Sequence, residues 1–266
     1  MEREEFFEKI RFESGSDEEY LLNLLKLRGF LFTENEDGIM LSDNGHALDG
    51  EYLESLLTQY NLGTVKNGMV TLSGNDCTEF IENEFQDGKR ISYECCWYTR
   101  RDWDYFRRRW HGYKVEVRWL EPFIARYVKA VSSCCVLTAT SCDGNHPNKI
   151  KMSLQCEGNP STVWYRLICE NCLVRKFDIK WLDNYRYMFF RRKDRYGTYY
   201  EVNRAAEYLY NNRLWIRGVK YMALDNLNKK YIRSRPAGEI EQEFIENATK
   251  LFEKRRIWEM EQGATV

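Results

Sequence analysis

Residues 16–41, SDEEYLLNLLKLRGFLFTENEDGIML, decide how this chain is read. Ser16 followed three residues later by Glu19 forms a capping box, in which hydroxyl and carboxylate each take an orphan backbone N–H. Tyr20, Leu21, Leu24, Leu25 and Leu27 then share one side of a helix, and Gly29 stops it. Phe30-Leu31-Phe32 and Ile39-Met40-Leu41, joined by Asn35-Glu36-Asp37-Gly38, predict a hairpin. The same order returns 32 residues later. Glu51-Tyr52-Leu53 matches Glu19-Tyr20-Leu21, Leu56-Leu57 matches Leu24-Leu25, and Thr64-Val65 and Met69-Val70 flank the Asn67-Gly68 turn. Residues 16–74 thus read as two helix-plus-hairpin units, with coincidence among common helix formers as the alternative.

A helix with a hairpin also describes a winged DNA-binding unit. Such a unit must bring a helix against phosphates, and the charge here has the wrong sign. Residues 1–88 carry 6 basic and 20 acidic side chains, residues 89–235 carry 30 and 14, and residues 236–266 carry 4 and 7. The near-balance of 40 Lys+Arg against 41 Asp+Glu hides this segregation. Folding does not require it; it gives one surface that repels polyanions and one that attracts them. We therefore divide the chain into an acidic N-terminal domain, 1–88, a basic and aromatic-rich α+β domain, 89–235, and a C-terminal helix, 236–266.

Beyond the acidic units, Asp76-Cys77-Thr78-Glu79 opens a helix that buries Phe80, Ile81 and Phe85. Helical spacing recurs over 102–111, with Trp103, Phe106 and Trp110 on one face, after Glu121-Pro122, over 201–211 and over about 239–260. Strands are expected over 91–98, 114–119, 136–140, 150–154, 163–168, 185–190 and 214–224. Connections this short favour antiparallel pairing, and the class expected is α+β with antiparallel sheets. Nothing approaches the ~18 consecutive apolar residues of a membrane span. Met1-Glu2-Arg3-Glu4-Glu5 lacks the apolar run of a signal peptide, so a cytoplasmic chain with reduced thiols is expected.

Nine cysteines are present. Cys142 and His146 lie four apart in a turn, and Cys169 and Cys172 form a Cys-x2-Cys pair. Together they could give one tetrahedral zinc four protein ligands, with the chain between them as a closing hairpin and Cys156 as a spare. Such a site is closed, and therefore structural. The alternative is reduced cysteines packed as small core residues. His46 reads as a surface histidine, and His111-Gly112 as a helix C-terminus where a cation offsets the dipole.

Thr140-Ser141-Cys142-Asp143-Gly144-Asn145-His146 resembles the Ser-Cys-x-Gly-His turn of uncharacterised bacterial and phage proteins, with Asn145 inserted before the histidine. It is also loosely similar to the Ser-Cys-x-Gly loop of the wybutosine-synthesis methyltransferases, without the basic residue that follows their glycine. The resemblance spans 138–172 and implies a cysteine turn in a small β unit; no glycine-rich cofactor loop accompanies it. By overall type, aromatic-rich, cysteine-rich and proline-poor, the chain resembles phage anti-defence proteins such as Gabija blockers. That resemblance implies a phage or prophage protein acting in the host cytoplasm.

Cations interleave with rings at Arg100, Arg101, Arg107 and Arg108, and again at Arg191, Arg192, Lys193 and Arg195. Arginine takes phosphate in bidentate fashion and rings stack bases, but Arg and Trp also dominate protein interfaces. Three functions follow. The first is a non-enzymatic interaction protein, monomeric or oligomeric, that binds and blocks a nucleic-acid-processing complex. The second is a zinc-stabilised nucleic-acid-binding protein. The third, resting only on the Ser-Cys-x-Gly loop, is an enzyme acting on RNA or a nucleotide.

Overall fold

Helix α2 (Asp17–Arg28) begins where the Ser16 hydroxyl accepts the Glu19 N–H at 3.1 Å. The reciprocal half of the box is shifted by one residue, because the Glu19 carboxylate takes the N–H of Gly15 at 2.6 Å. The helix ends in a Schellman turn: Gly29 is left-handed (φ 111°) and the Phe30 N–H returns to the Leu25 carbonyl at 3.1 Å. Strands β1 (Phe32–Asn35) and β2 (Gly38–Leu41) follow. Helix α3 (Asp49–Gln59) repeats the ending, with Asn61 left-handed (φ 54°) and Leu62 N–H on the Leu57 carbonyl at 2.8 Å. Strands β3 (Gly63–Lys66) and β4 (Met69–Leu72) close the second unit around the left-handed pair Asn67-Gly68.

The four strands form one antiparallel sheet in the order β1-β2-β4-β3. Past the helix caps the repeat offset falls from 32 to 31 residues: Ser42 N–H bonds the Leu31 carbonyl and Ser73 N–H bonds that of Leu62. Across β2 and β4, Ile39 sits opposite Val70. These two are themselves equivalent at the 31-residue offset, so a local two-fold axis passes through their pair. The units are thus joined into a symmetric sheet.

The structure is a computed structural model that describes residues 1–36, 38–86, 102–144, 152–184, 187–191, 194–225, 227 and 235–261. Helix α1 (Arg3–Phe12) precedes the repeat, and α4 (Thr78–Glu84) and α5 (Trp103–Arg108) follow it. After a 3-10 turn at Val117–Trp119 come α6 (Pro122–Ser133), β5 (Thr138–Cys142) and β6 (Met152–Cys156). Next are α7 (Asn159–Ile168), running into a π-helical turn at Cys169–Leu173, then β7 (Lys180–Asn184) and β8 (Tyr187–Arg191). Helices α8 (Arg195–Asn211), α9 (Arg213–Asp225) and α10 (Ala237–Glu261) complete the chain. The second sheet is antiparallel in the order β5-β6-β8-β7. The α6–β8 stretch therefore repeats the α-ββ-α-ββ element order and the strand order of the α2–β4 stretch.

The class is α+β with antiparallel sheets, as expected. Two segments read as strands, 163–168 and 214–224, are instead the helices α7 and α9. In α7, Val163, Trp164, Leu167 and Ile168 are buried at helical spacing behind Pro160 in the first turn. In α9, Ile216, Val219, Lys220, Ala223 and Leu224 form the buried stripe. Residues 114–119 enter no ladder and end in the 3-10 turn. The strand expected at 91–98 and the boundary at 88 fall outside the described residues. Trp103 and Phe106 are buried, but Trp110 lies 70 % exposed on the ring of Tyr221, 4.1 Å away.

One contiguous apolar core runs from Phe6 to Phe252. Helix α6 occupies its middle, packed on α2 and α8. Phe123 stacks on Tyr199 (4.3 Å, 8°) and meets Phe6 edge-on, while Phe244 of α10 meets Trp103, Phe106 and Trp164 edge-on.

Candidate functional site

The Cys-x2-Cys pair sits on the π turn that ends α7. Cys169 and Cys172 are 1 % and 2 % exposed and belong to the core. Cys169 faces the hydroxyls of Tyr127 and Tyr165, which bond each other at 2.9 Å, and lies near Cys156. Burial pushes the Cys169 thiol well above its usual range, so it is a protonated core group. The span from 152 to 168, expected as part of a closing hairpin, is β6 followed by a helix. Cys142 sits elsewhere, at the end of β5.

There Cys142 gathers a different set. The Glu121 carboxylate, just ahead of α6, accepts the Asp143 N–H at 2.6 Å, and the Gly144 N–H donates to Cys142 Sγ at 3.4 Å. One ligand atom each from Glu121, Cys142 and Asp143 lies within 4.8 Å of the other two, and all three side chains are buried. Among the described residues this is the one group of three such donors. Mixed thiolate and carboxylate donors suit a divalent ion of the zinc type. Of the ligands read from the sequence, only Cys142 is in it; Cys169 and Cys172 are not, and His146 lies outside the described residues. Glu121 had no metal signature in the sequence, since an acidic residue before proline reads as a helix start. The seven described cysteines are buried, and none forms a disulfide with another described residue.

His111 corrects the reading of a helix-end cation. Burial lowers its imidazole to about 4, leaving it neutral at physiological pH beside the Gly112 carbonyl (3.1 Å) and the Ser133 hydroxyl (3.4 Å).

Several described cations of the basic stretch are used inside the protein, while Lys114, Arg118, Arg166, Arg175 and Arg204 are exposed. Arg107 and Arg108 both pair with Asp104 at 3.2 Å, with Arg108 still 64 % exposed. Lys220 is fully buried and donates to the Phe106 and Arg109 carbonyls at 2.9 and 2.7 Å. Arg217 bonds the Ser133 carbonyl at 2.5 Å and Asn44 at 3.2 Å, Arg213 the Tyr210 carbonyl at 2.7 Å, and Arg126 the Asn203 side chain at 2.7 Å. Arg195 is exposed at the start of α8, and Arg191 lies on β8. Arg100, Arg101, Arg192 and Lys193 lie outside the described residues.

The acidic stretch behaves oppositely. Of its described carboxylates in residues 1–86, all but Asp49 and Glu84 are exposed. Those two serve buried clusters. Arg28, 1 % exposed, donates to Glu84 at 3.0 Å, to the Val117 and Leu120 carbonyls at 3.1 and 3.2 Å, and to Tyr52 at 3.1 Å. Lys129 meets Asp49 at 2.6 Å. Among the described residues, the latter is the one ion pair between a carboxylate of 1–86 and a cation of 102–235. Among the described residues, the exposed carboxylates of the acidic stretch are therefore not cancelled by ion pairs with cations across the seam.

No family model, curated protein or solved structure matches the chain. Among the described residues no helix is long and apolar enough to cross a membrane.

Proposed function

We propose that this protein is a non-enzymatic interaction factor whose acidic face docks into the basic groove of a nucleic-acid-processing protein and blocks it. The observation that carries the reading is the asymmetry of charge use. The described carboxylates of the first 86 residues, Asp49 and Glu84 apart, stay in solvent, while Lys129, Arg213, Arg217 and Lys220 of the second stretch are drawn inward onto carbonyls or an internal carboxylate. Exposed charge of one sign raises association rate and selects an oppositely charged partner.

One part of this face joins α1 to α4. Arg3 reaches from α1 to the Ile81 carbonyl at 3.3 Å, and Phe7 packs on Phe85 at 5.5 Å. Glu4 and Glu8 of α1 and Glu79 and Glu82 of α4 are exposed around that junction. The test is co-purification from a host extract treated with nuclease, using the wild-type chain and the variant Glu4→Lys/Glu8→Lys/Glu79→Lys/Glu82→Lys. A protein partner retained after nuclease by the wild type, and lost by a variant with unchanged thermal unfolding, supports the reading. A partner that disappears with nuclease, together with direct salt-sensitive binding of nucleic acid by the purified chain, overturns it in favour of nucleic-acid binding.

A further inference from the structure

A second charged surface, built by the basic stretch and α10, shares no residue with the acidic face or the Cys142 group. A shallow, open cleft is bounded by the π turn and by α8, α9 and α10. Two basic dipeptides distant in sequence meet in it: Arg175-Lys176, just after the π turn, and Arg255-Arg256 on α10. In sequence the second pair looks like a solvated helix face; in the fold it closes one wall.

These cations differ from those used inside the protein. Arg175 and Arg256 make no ion pair with a described residue. Lys176 lies 5.0 Å from the Tyr208 ring centre, and the Arg255 guanidinium is 5.6 Å from Trp215 and 4.3 Å from Trp258. Four positive charges face two carboxylates, Glu170 and Glu253. Half-buried Tyr208 and Trp215 supply ring surface beside them. The π turn beside it is a rare element that recurs at functional sites.

Arg175 and Arg256, next to half-buried rings, match a ligand that carries both an anion and an aromatic plane. We propose that this cleft binds a nucleoside phosphate, with Arg175 and Arg256 on the phosphate and Trp215 and Tyr208 against the base. The ligand can be a free nucleotide or the end of a strand, and the phosphate and base contacts are the same for both.

The test is calorimetric and tryptophan-fluorescence titration of the full chain with ATP, AMP, adenosine, inorganic phosphate and a short single-stranded oligonucleotide. Saturable binding of ATP or AMP is expected, with adenosine and phosphate each at least about tenfold weaker. Arg175→Ala and Arg256→Ala should each weaken it by at least about fivefold, whereas Lys66→Ala, on the distant β3, should not. Both arginines lie outside the core, so these variants carry the test even if Trp215→Leu fails to fold. An oligonucleotide that binds more tightly than AMP, and competes with it, identifies a strand end; one that does not compete identifies the free nucleotide. Absence of saturable nucleotide binding, phosphate binding as well as AMP, or indifference to both arginine substitutions overturns the proposal. None of these results touches the acidic face, whose test uses a different set of residues.

Discussion

Lys129 lies in the apolar stripe of α6 at 2 % exposure, and its partner Asp49 is 1 % exposed. Burial pushes the ammonium down from its usual range and the Asp49 carboxylate opposes that. Asp49 is fully engaged: it also accepts the Val117 N–H and the His46 N–H, each at 2.8 Å. Removing one member of such a pair strands the other as an uncompensated buried charge. Lys129→Ala should therefore destabilise the protein by about 3–5 kcal/mol, read as a lower urea midpoint. Asp49→Asn/Lys129→Met, which removes both charges at similar volume, should recover much of the loss; a double variant no better than the single would show that packing dominates. Neither residue announced this role in the sequence. Phe123, Ile124, Tyr127, Val128 and Val131 were legible as the buried face of α6, but the partner of the lysine between them lies 80 residues earlier, at the start of α3. The Arg28–Glu84 pair was hidden in the same way, since each reads as an ordinary charge at a helix end.

At the level of elements, the two Schellman turns form an internal control. Gly29 and Asn61 occupy equivalent left-handed positions, but a Cβ on Gly29 would meet Ala125 Cβ of α6 at 2.8 Å. Gly29→Ala thus carries both the left-handed penalty of roughly 1–2 kcal/mol and a collision at the α2–α6 crossing. Asn61→Gly should stay within about 0.5 kcal/mol of wild type, because both residues accept that conformation. Asn61→Ala takes the left-handed penalty without the collision, so equal thermal shifts for Gly29→Ala and Asn61→Ala would place the glycine requirement in the cap alone, not in the helix crossing. The caps and turns of this region were readable because each rests on local chemistry: a hydroxyl for an N–H, a positive φ, a two-residue turn. Helices α7 and α9 were not. Val163-Trp164-Tyr165 and Leu214-Trp215-Ile216 are rich in β-forming residues, and Lys220 interrupts the apolar pattern of α9. Once the fold brings the Phe106 and Arg109 carbonyls to its ammonium, Lys220 becomes a core residue and the helical period emerges. The cation cleft was invisible for a related reason, since Arg175 and Arg256 are neighbours only after α10 docks.

For the whole molecule, charge suggests two bodies and packing suggests one. The acidic and basic stretches each build an α-ββ-α-ββ unit with the same strand order, which would suit a pair of independent domains. Their leading helices, α2 and α6, pack on each other, and one apolar core spans α1 to α10. Buried Arg28 spans the seam, and so does the Lys129–Asp49 pair. Detaching the first unit would expose the α2 and α6 faces and strand Asp49, a cost that a unit under 90 residues has little surplus to meet. Unfolding should therefore be a single transition. Fluorescence can report only part of it, because all eight tryptophans lie beyond residue 96. Native-state hydrogen exchange of α2 and α3 supplies the other half. Slowest-exchanging amides in α2, α3 and α6 should give the same opening free energy, and it should match that from the tryptophan signal in urea. Loss of protection in α2 and α3 well below the fluorescence midpoint would mean that the acidic unit opens by itself. The acidic face would then belong to a detachable domain, whereas a single transition makes it a rigid surface held in place by the core of the basic half.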